Sequence, residues 1–304
     1  MMESVFSSTR KMVPFAQFSV LFVLCTTAWA DSQQYSVKGM VMKVDAAHDT
    51  VIVSCSAIAG YMDAMVMPFK VRDTKELENL LPGVTVGFTL VVENDASHVE
   101  NIQVLPYEGL EVDPLTARRL RLMNQTIEHT SATTSVKSLA IGDRVPDFKL
   151  LDQTGRRVAL SKFAGRVVAL NFIYTRCALP DFCFRSSNHF RQLQKRFQKQ
   201  LGSDLVLLTV SFDPTHDRPD VLLKYAAIWK ADPRSWHFLT GSTSDVQRVC
   251  SLFSLDAFQD EGLLNHSLHT AIIDRSGKLV ANIEGNQFSA EQLGDLVQTF
   301  VDRH

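Results

Sequence analysis

The chain has 304 residues, with 31 Lys or Arg against 33 Asp or Glu and a formal net charge of -2. Charge this close to balance gives no electrostatic footprint for nucleic acid or an anionic membrane surface, so neither is expected as a partner. The length is enough for two domains.

The first segment has the three regions of a secretory signal in order. Arg10 and Lys11 precede an apolar run from about Phe15 to Leu24, and Ala28-Trp-Ala30 forms a small-x-small site ahead of Asp31. The run is too short to span a bilayer. Residues 1–30 are therefore expected to be a signal peptide cleaved after Ala30, giving a soluble periplasmic protein of about 274 residues. Cleavage would discard Cys25, and Leu24 before it is too bulky for a lipid-attachment site. Four cysteines remain, Cys55, Cys177, Cys183 and Cys250. In an oxidising compartment each unpaired cysteine needs a reason.

Residues 35–106 read as short strands. Tyr35 to Val44 and Asp49 to Ser54 flank the turn 45–49, followed by Phe69 to Val71, Thr85 to Glu93 and His98 to Leu105, with breaks at Leu81-Pro-Gly83 and at 93–95. Several short strands in some seventy residues predict a small all-β, OB-like barrel. Residues 107–137 read as a linker, in which Pro114 opens a helix to about His129 and Ser131 to Ser135 is a polar connection.

From 138 to 304 strands alternate with helices. Strand 167–173 leads to helix 184–200, strand 204–211 to helix 217–230, and strand 236–239 to helix 243–254. Two strands, Thr270 to Asp274 and Leu279 to Glu284, then enclose the turn 275–278 before a last helix over 290–302. This order predicts an α/β layer with a terminal hairpin, the thioredoxin-like arrangement.

Tyr174-Thr-Arg-Cys-Ala-Leu-Pro-Asp-Phe-Cys183 places two thiols between a buried strand and a helix N-terminus. The positive end of a helix favours thiolate, which is both a nucleophile and a metal ligand. Such a pair suits either a soft metal, Cu(I), or a disulfide. A third candidate ligand is His266, just before the terminal hairpin, with His269 as its competitor. Strand alternation puts the two histidines on different faces, and position favours His266. Cys250, within a helical pattern, reads as a buried small apolar residue. Asp213 and Asp217 read as turn and N-cap residues.

Phe172-Ile-Tyr-Thr-Arg-Cys177, Val210-Ser-Phe-Asp-Pro-Thr-His-Asp-Arg-Pro-Asp-Val-Leu222, Ile141-Gly-Asp-Arg-Val-Pro-Asp-Phe148 and the eleven residues from His266 to Gly277 resemble the SCO/SenC family of copper-dependent oxidase assembly factors. The resemblance covers roughly 138–303. It implies a thioredoxin-like fold and a copper site made by Cys177, Cys183 and His266, holding Cu(I) and also able to take Cu(II). An ordinary thioredoxin carries a cis-proline at the histidine position, and no proline occurs from 234 to 304 here. Two departures stand out. Five residues separate the cysteines where the family has three, and Phe184 stands where the family has proline.

In the N-terminal half, Cys55-Ser-Ala-Ile-Ala-Gly-Tyr-Met-Asp-Ala-Met-Val-Met-Pro-Phe69 resembles periplasmic copper-binding domains of the CusF kind. Met65 and Met67 match that family's methionine pair, Cys55 stands at its histidine position, and Met62, beside Tyr61, stands at its aromatic cap. Thioethers are soft neutral ligands that favour Cu(I). The bland alternative is that methionines fill a small core.

Two copper-type segments in one secreted chain point to a metallochaperone for a respiratory oxidase. Its expected partners are a copper-receiving oxidase subunit or a periplasmic copper carrier. The rival is an enzyme, a thiol-disulfide oxidoreductase in which Cys177 attacks and Cys183 resolves. A third reading is a copper-tolerance buffer.

Overall fold

The computed structural model describes residues 32–93, 96–106, 137–177, 180–255, 257–260, 263–266 and 268–303. Residues 1–30, expected to be a signal peptide, the helix expected over 114–129 and the connection 131–135 lie outside the described residues.

The N-terminal strands are β1 (Ser32–Asp45), β2 (Thr50–Cys55), β3 (Met65–Lys70), β4 (Thr85–Glu93) and β5 (Ala96–Val104). They form one antiparallel sheet in the order β3-β2-β1-β4-β5. Val37, Val41, Val51, Val53, Phe69, Phe88 and Val99 fill its concave side, as the two-residue period of a half-buried strand dictates. The edge strands meet at one parallel bridge, Val71 to Val99, where the Arg72 amide donates to the Val99 carbonyl at 3.0 Å. The expected barrel is thus a curled sheet pinned at one end. Its third strand begins at Met65, earlier than the Phe69 start read from the sequence.

The second sheet follows the order β10-β9-β8-β13-β14. Strands β8 (Val167–Ile173), β9 (Leu205–Ser211) and β10 (Trp236–Leu239) are parallel, and β13 (His269–Ile273) and β14 (Leu279–Glu284) complete the sheet antiparallel. Every residue of β8 and β9 is buried, because helices or a hairpin cover both faces. Helices α1 (Arg185–Arg196), α2 (Pro219–Trp229) and α4 (Ala290–Val301) close one face around Phe190, Leu193, Leu222, Trp229, Leu293 and Leu296. The other face carries α3 (Thr243–Leu252) and the hairpin of β6 (Lys149–Leu151) and β7 (Arg157–Ala159). This is the thioredoxin-like layer with its terminal hairpin. A further hairpin, β11 (Ala257–Asp260) with β12 (Leu263–His266), was not legible from sequence pattern.

Three helix ends differ from expectation by two residues or more, and α3 is one of them, stopping at Leu252 and not at 254. α1 stops at Arg196, where Phe197 leaves helical geometry and its amide caps Leu193, and the chain continues to Gln200 as turns. α2 starts at Pro219, whose missing N–H costs nothing at a first helical position.

The sheets share a core. The outer face of β1 puts Met40 and Met42, 0% and 1% exposed, among Ile283, Leu296 and Phe300. A register shift between Val41 and Lys43 then returns Val44 to the concave side, the usual effect of a bulge on strand alternation. At the rim of this contact Ser54 Oγ donates to Asp295 Oδ2 at 2.7 Å, and Gln292 Nε2 donates to the Ser54 carbonyl at 3.1 Å. Gly83 lies in the contact at φ +90°, and a Cβ there would meet Ile283 Cγ1 at 2.8 Å. Gly83→Ala is therefore expected to cost about 1–3 kcal/mol, from left-handed strain together with crowding. Urea unfolding would show it as a lower midpoint, and an unchanged midpoint would contradict this packing. Among the described residues no helix is long and apolar enough to cross a membrane.

Candidate metal centre

Strand β8 delivers the cysteine loop from the middle of the core. Asn171, fully buried in β8, donates from Nδ2 to Ser186 Oγ at 2.9 Å and accepts from Thr209 Oγ1 at 2.7 Å. Thr209 in turn accepts from Trp236 Nε1 at 2.9 Å. A fully satisfied buried network of this kind costs little and fixes geometry. Here it pins the first turn of α1, and hence the far end of the cysteine loop, to the strand that starts it.

Past β8, Tyr174 packs its ring on Phe212 at 5.2 Å, and the Cys177 amide donates to the Tyr174 carbonyl at 3.3 Å. Pro180–Phe184 turns into α1 through a kink, with Phe182 outside helical geometry at φ -110°, ψ -105°. In this chain the turn brings Cys183 back to Cys177 in spite of the longer spacing. The two side chains are in hydrogen-bonding contact, as thiols and not as a disulfide. That contact, then burial, pushes the Cys183 thiol well above its ordinary range. Cys183 is 1% exposed and Cys177 is half-buried. Phe184, beside the pair, is 59% exposed and rests against Trp229 at 4.8 Å.

A turn after β9 holds the near side of the loop. Arg176 donates from Nη2 to Asp213 Oδ2 at 2.7 Å, and His216 Nδ1 lies 2.8 Å from Asp213 Oδ1. The same Nδ1 lies 3.0 Å from Arg176 Nη2, so the three side chains form one cluster. Burial raises the Asp213 pKa, but the bonds from His216 and Arg176 outweigh it and hold the carboxylate below its usual range. Asp217 is fully buried and accepts from the Thr175 amide at 2.9 Å, from the Thr175 hydroxyl and from Ser211 Oγ. The N-cap of α2 is Arg218, so the N-cap reading of Asp217 is corrected: its carboxylate points inward to the loop. Pro219 was the available signal, since proline at the first helical position leaves Asp217 outside the helix.

His266 ends β12 and pairs across to Ala257. Its side chain lies outside what the structure describes. Four residues on, Thr270 pairs with Asn171, six residues before Cys177. The backbone that carries His266 therefore enters the sheet beside the strand that leaves for the cysteines. The competitor His269 is 8% exposed, with Nδ1 3.3 Å from Asn282 Oδ1, and is tied into the sheet. Among the described residues no three His, Cys, Asp or Glu side chains gather at metal-holding distance. Cys250 is buried in α3, and burial pushes its thiol up to about 12.

In the N-terminal sheet, Cys55 stands directly opposite Met65, and Val53 opposite Met67. Opposed residues share a face, so Cys55, Met65 and Met67 all lie on the concave side. They differ in depth. Met65 is 49% exposed at the rim, Met67 is partly buried, and Cys55 is 2% exposed within the core. Burial pushes the Cys55 thiol up to about 12, and its Sγ lies 3.8 Å from the Val53 carbonyl. Met62 is partly buried on the same core, and Tyr61 stacks on Tyr35 at 4.3 Å.

As donor sets, both places suit a soft cation. The Cys177–Cys183 pair does so by contact and partial access, the N-terminal trio by alignment, with Cys55 having to give up a proton held by burial.

Fold and site together define a thioredoxin-like protein with a dithiol loop where the sheet meets α1. The SCO1/SenC family model matches residues 138–302, and the chain belongs to that family. The model for the copper-binding periplasmic protein CusF matches residues 34–104. The SCO1 protein homolog of Bacillus subtilis (strain 168) is 28% identical over 149 residues, 46% of this chain and 74% of that protein. Protein sco1 of Schizosaccharomyces pombe is 24% identical over 161 residues, 50% of this chain and 59% of that one. Among solved structures, Arabidopsis thaliana ScoI with copper bound is similar at 24% identity and a TM-score of 0.45, over 53% of this chain and 98% of that one. BsSco, described as a member of the Sco family of cytochrome c oxidase assembly proteins, is similar at 24% identity and a TM-score of 0.47, over 55% of this chain and 99% of that one.

Proposed function

We propose that this protein carries copper as cargo in the periplasm and hands it to the copper centre of a respiratory oxidase. The observation that carries the reading is the contact between the Cys177 and Cys183 thiols at the edge of a family-matched fold. Cys177, Cys183 and His266 are the proposed ligands, taking Cu(I) and also able to take Cu(II). Cys177 is the accessible member, so an incoming thiolate from the recipient displaces it first and Cys183 last. Stepwise exchange of this kind passes the cargo with no free ion. Residues 1–30 are read as the export signal, and 35–106 as a second Cu(I) site using Met65, Met67 and Cys55, which supplies or buffers the pair.

The second reading is a thiol-disulfide oxidoreductase, favoured by the same thiol contact, since two sulfurs in contact close readily to a disulfide. The partner would then be an oxidase subunit or another periplasmic protein with reducible cysteines. His266 separates the readings. Anaerobic Cu(I) titration of the reduced chain against a competing chelator is expected to weaken with His266→Ala, by at least about tenfold for a lost ligand. Unchanged copper affinity, with unchanged rates of reversible disulfide formation, would favour the oxidoreductase.

A further inference from the structure

Asp217 is a carboxylate at 0% exposure that neither an N-cap nor a ligand role absorbs. Burying such a group is costly unless its acceptors are filled, and three donors fill it: the Thr175 amide, the Thr175 hydroxyl and Ser211 Oγ. Two of the three come from one residue, two positions before Cys177. Arg176, the next residue, is held by Asp213 on the same turn. The loop entry is thus gripped at consecutive residues by the 213–217 turn. The two grips differ in quality. Arg176 is 48% exposed against an Asp213 that is 8% exposed, and a half-exposed ion pair fixes little. Asp217 itself is fully buried, and its grip on the half-buried Thr175 is bidentate.

We infer that Asp217 is a positioning residue for the dithiol site, acting through Thr175 to fix the direction in which the chain presents Cys177. The inference rests on the reading of Cys177 and Cys183 as the copper pair. With the grip intact, Cys177 is presented toward Cys183 before the cargo arrives. Without it, loading the site must order residues 174–177, and affinity falls. Thr175→Ser keeps both donors, Thr175→Val removes the hydroxyl at constant volume, and Asp217→Asn exchanges one acceptor oxygen for a donor.

The test uses the full chain in a Met65→Ala, Met67→Ala background, so that copper reports on the cysteine pair. Cu(I) affinity of the reduced protein is measured by chelator competition, with thermal unfolding in parallel. Thr175→Val and Asp217→Asn are each expected to weaken binding roughly 10- to 100-fold, the usual effect of losing an outer-shell partner. Thr175→Ser should stay within about twofold, and the double variant should be no weaker than the worse single one, because both act on one contact. Equal affinities, or losses that multiply in the double variant, would overturn the inference. Should Asp217→Asn fail to fold, the comparison of Thr175→Ser with Thr175→Val decides alone.

If the parent itself binds no Cu(I) at the pair, the function reading fails, and positioning is read from thiol chemistry. Oxidised glutathione converts the two protein thiols to one disulfide and is itself reduced to two glutathione thiols. Thr175→Val and Asp217→Asn should then change that rate while Thr175→Ser does not, and identical rates in all variants would overturn the inference.

Discussion

Serine at position 177 is expected to abolish tight Cu(I) binding at the dithiol loop, with a loss of about 10³-fold, or roughly 4 kcal/mol. The size follows from what one ligand contributes. A four-ligand structural metal site is worth about 10–16 kcal/mol, roughly 2.5–4 per ligand, and a hydroxyl is a poor substitute for thiolate toward a soft cation. Cys177 is the cleaner position to change. It is half-buried, whereas Cys183 is 1% exposed and belongs to the buried core of the second sheet. Serine at 183 would therefore mix loss of a ligand with loss of packing. Since contact with Cys177 and burial hold the Cys183 thiol above its ordinary range, loading the pair must displace protons. Affinity is accordingly expected to rise with pH, by about tenfold per released proton per unit below the thiol pKa. A chelator competition run at several pH values measures both effects, and a Cys177→Ser chain with parental affinity would contradict them.

The second large effect concerns stability at acid pH. His189 lies in α1, 6% exposed, with its ring 5.2 Å from Phe288 and Nδ1 without a hydrogen-bond partner among the described residues. Burial drives its pKa from 6.5 down to about 4, with Arg185 adding to the effect and Glu291 opposing it. The fold holds the neutral ring. Between pH 6.5 and about 4 the unfolded chain takes up a proton that the folded chain refuses, so stability falls as the pH falls through that window. The full loss is about 3 kcal/mol. Burial lowers the His237 pKa as well, which adds a contribution of the same sign. His189→Phe keeps a ring against Phe288 and removes the titrating group. Its unfolding free energy should change less from pH 7 to pH 4 than the parent's, by about that amount, and parallel curves would show that His189 does not carry the dependence.

Much of the frame was readable because it rests on local patterning. The all-apolar run 167–173 and its counterpart 205–211 are what a strand covered on both faces requires, and Ser289, with its capping box to Gln292, marks the start of α4. The less legible features depend on distant partners. Met40 and Met42 look like any alternate residues of β1, and only the packing of α4 and β14 shows that they belong to the second core. Asp217 follows Asp-Pro-Thr-His in a stretch that fits capping chemistry, and its true donors, Thr175 and Ser211, come from two different strand ends. The return of Cys183 to Cys177 depends on a kinked turn with Phe182 outside helical geometry, which spacing alone does not encode. Cys55, Met65 and Met67 were readable as a group only through the family resemblance, and the pairing of β2 with β3 puts them on one face. Their gradient of depth, from rim to core, was not readable, because it depends on how tightly the sheet curls.

The most direct test of the copper reading is X-ray absorption at the copper edge of the loaded full chain carrying Met65→Ala and Met67→Ala. The account predicts two sulfur neighbours and one nitrogen, with the nitrogen lost in His266→Ala and sulfur lost in Cys177→Ser. A copper surrounded only by oxygen and nitrogen, or a chain that retains no copper after desalting, would contradict it.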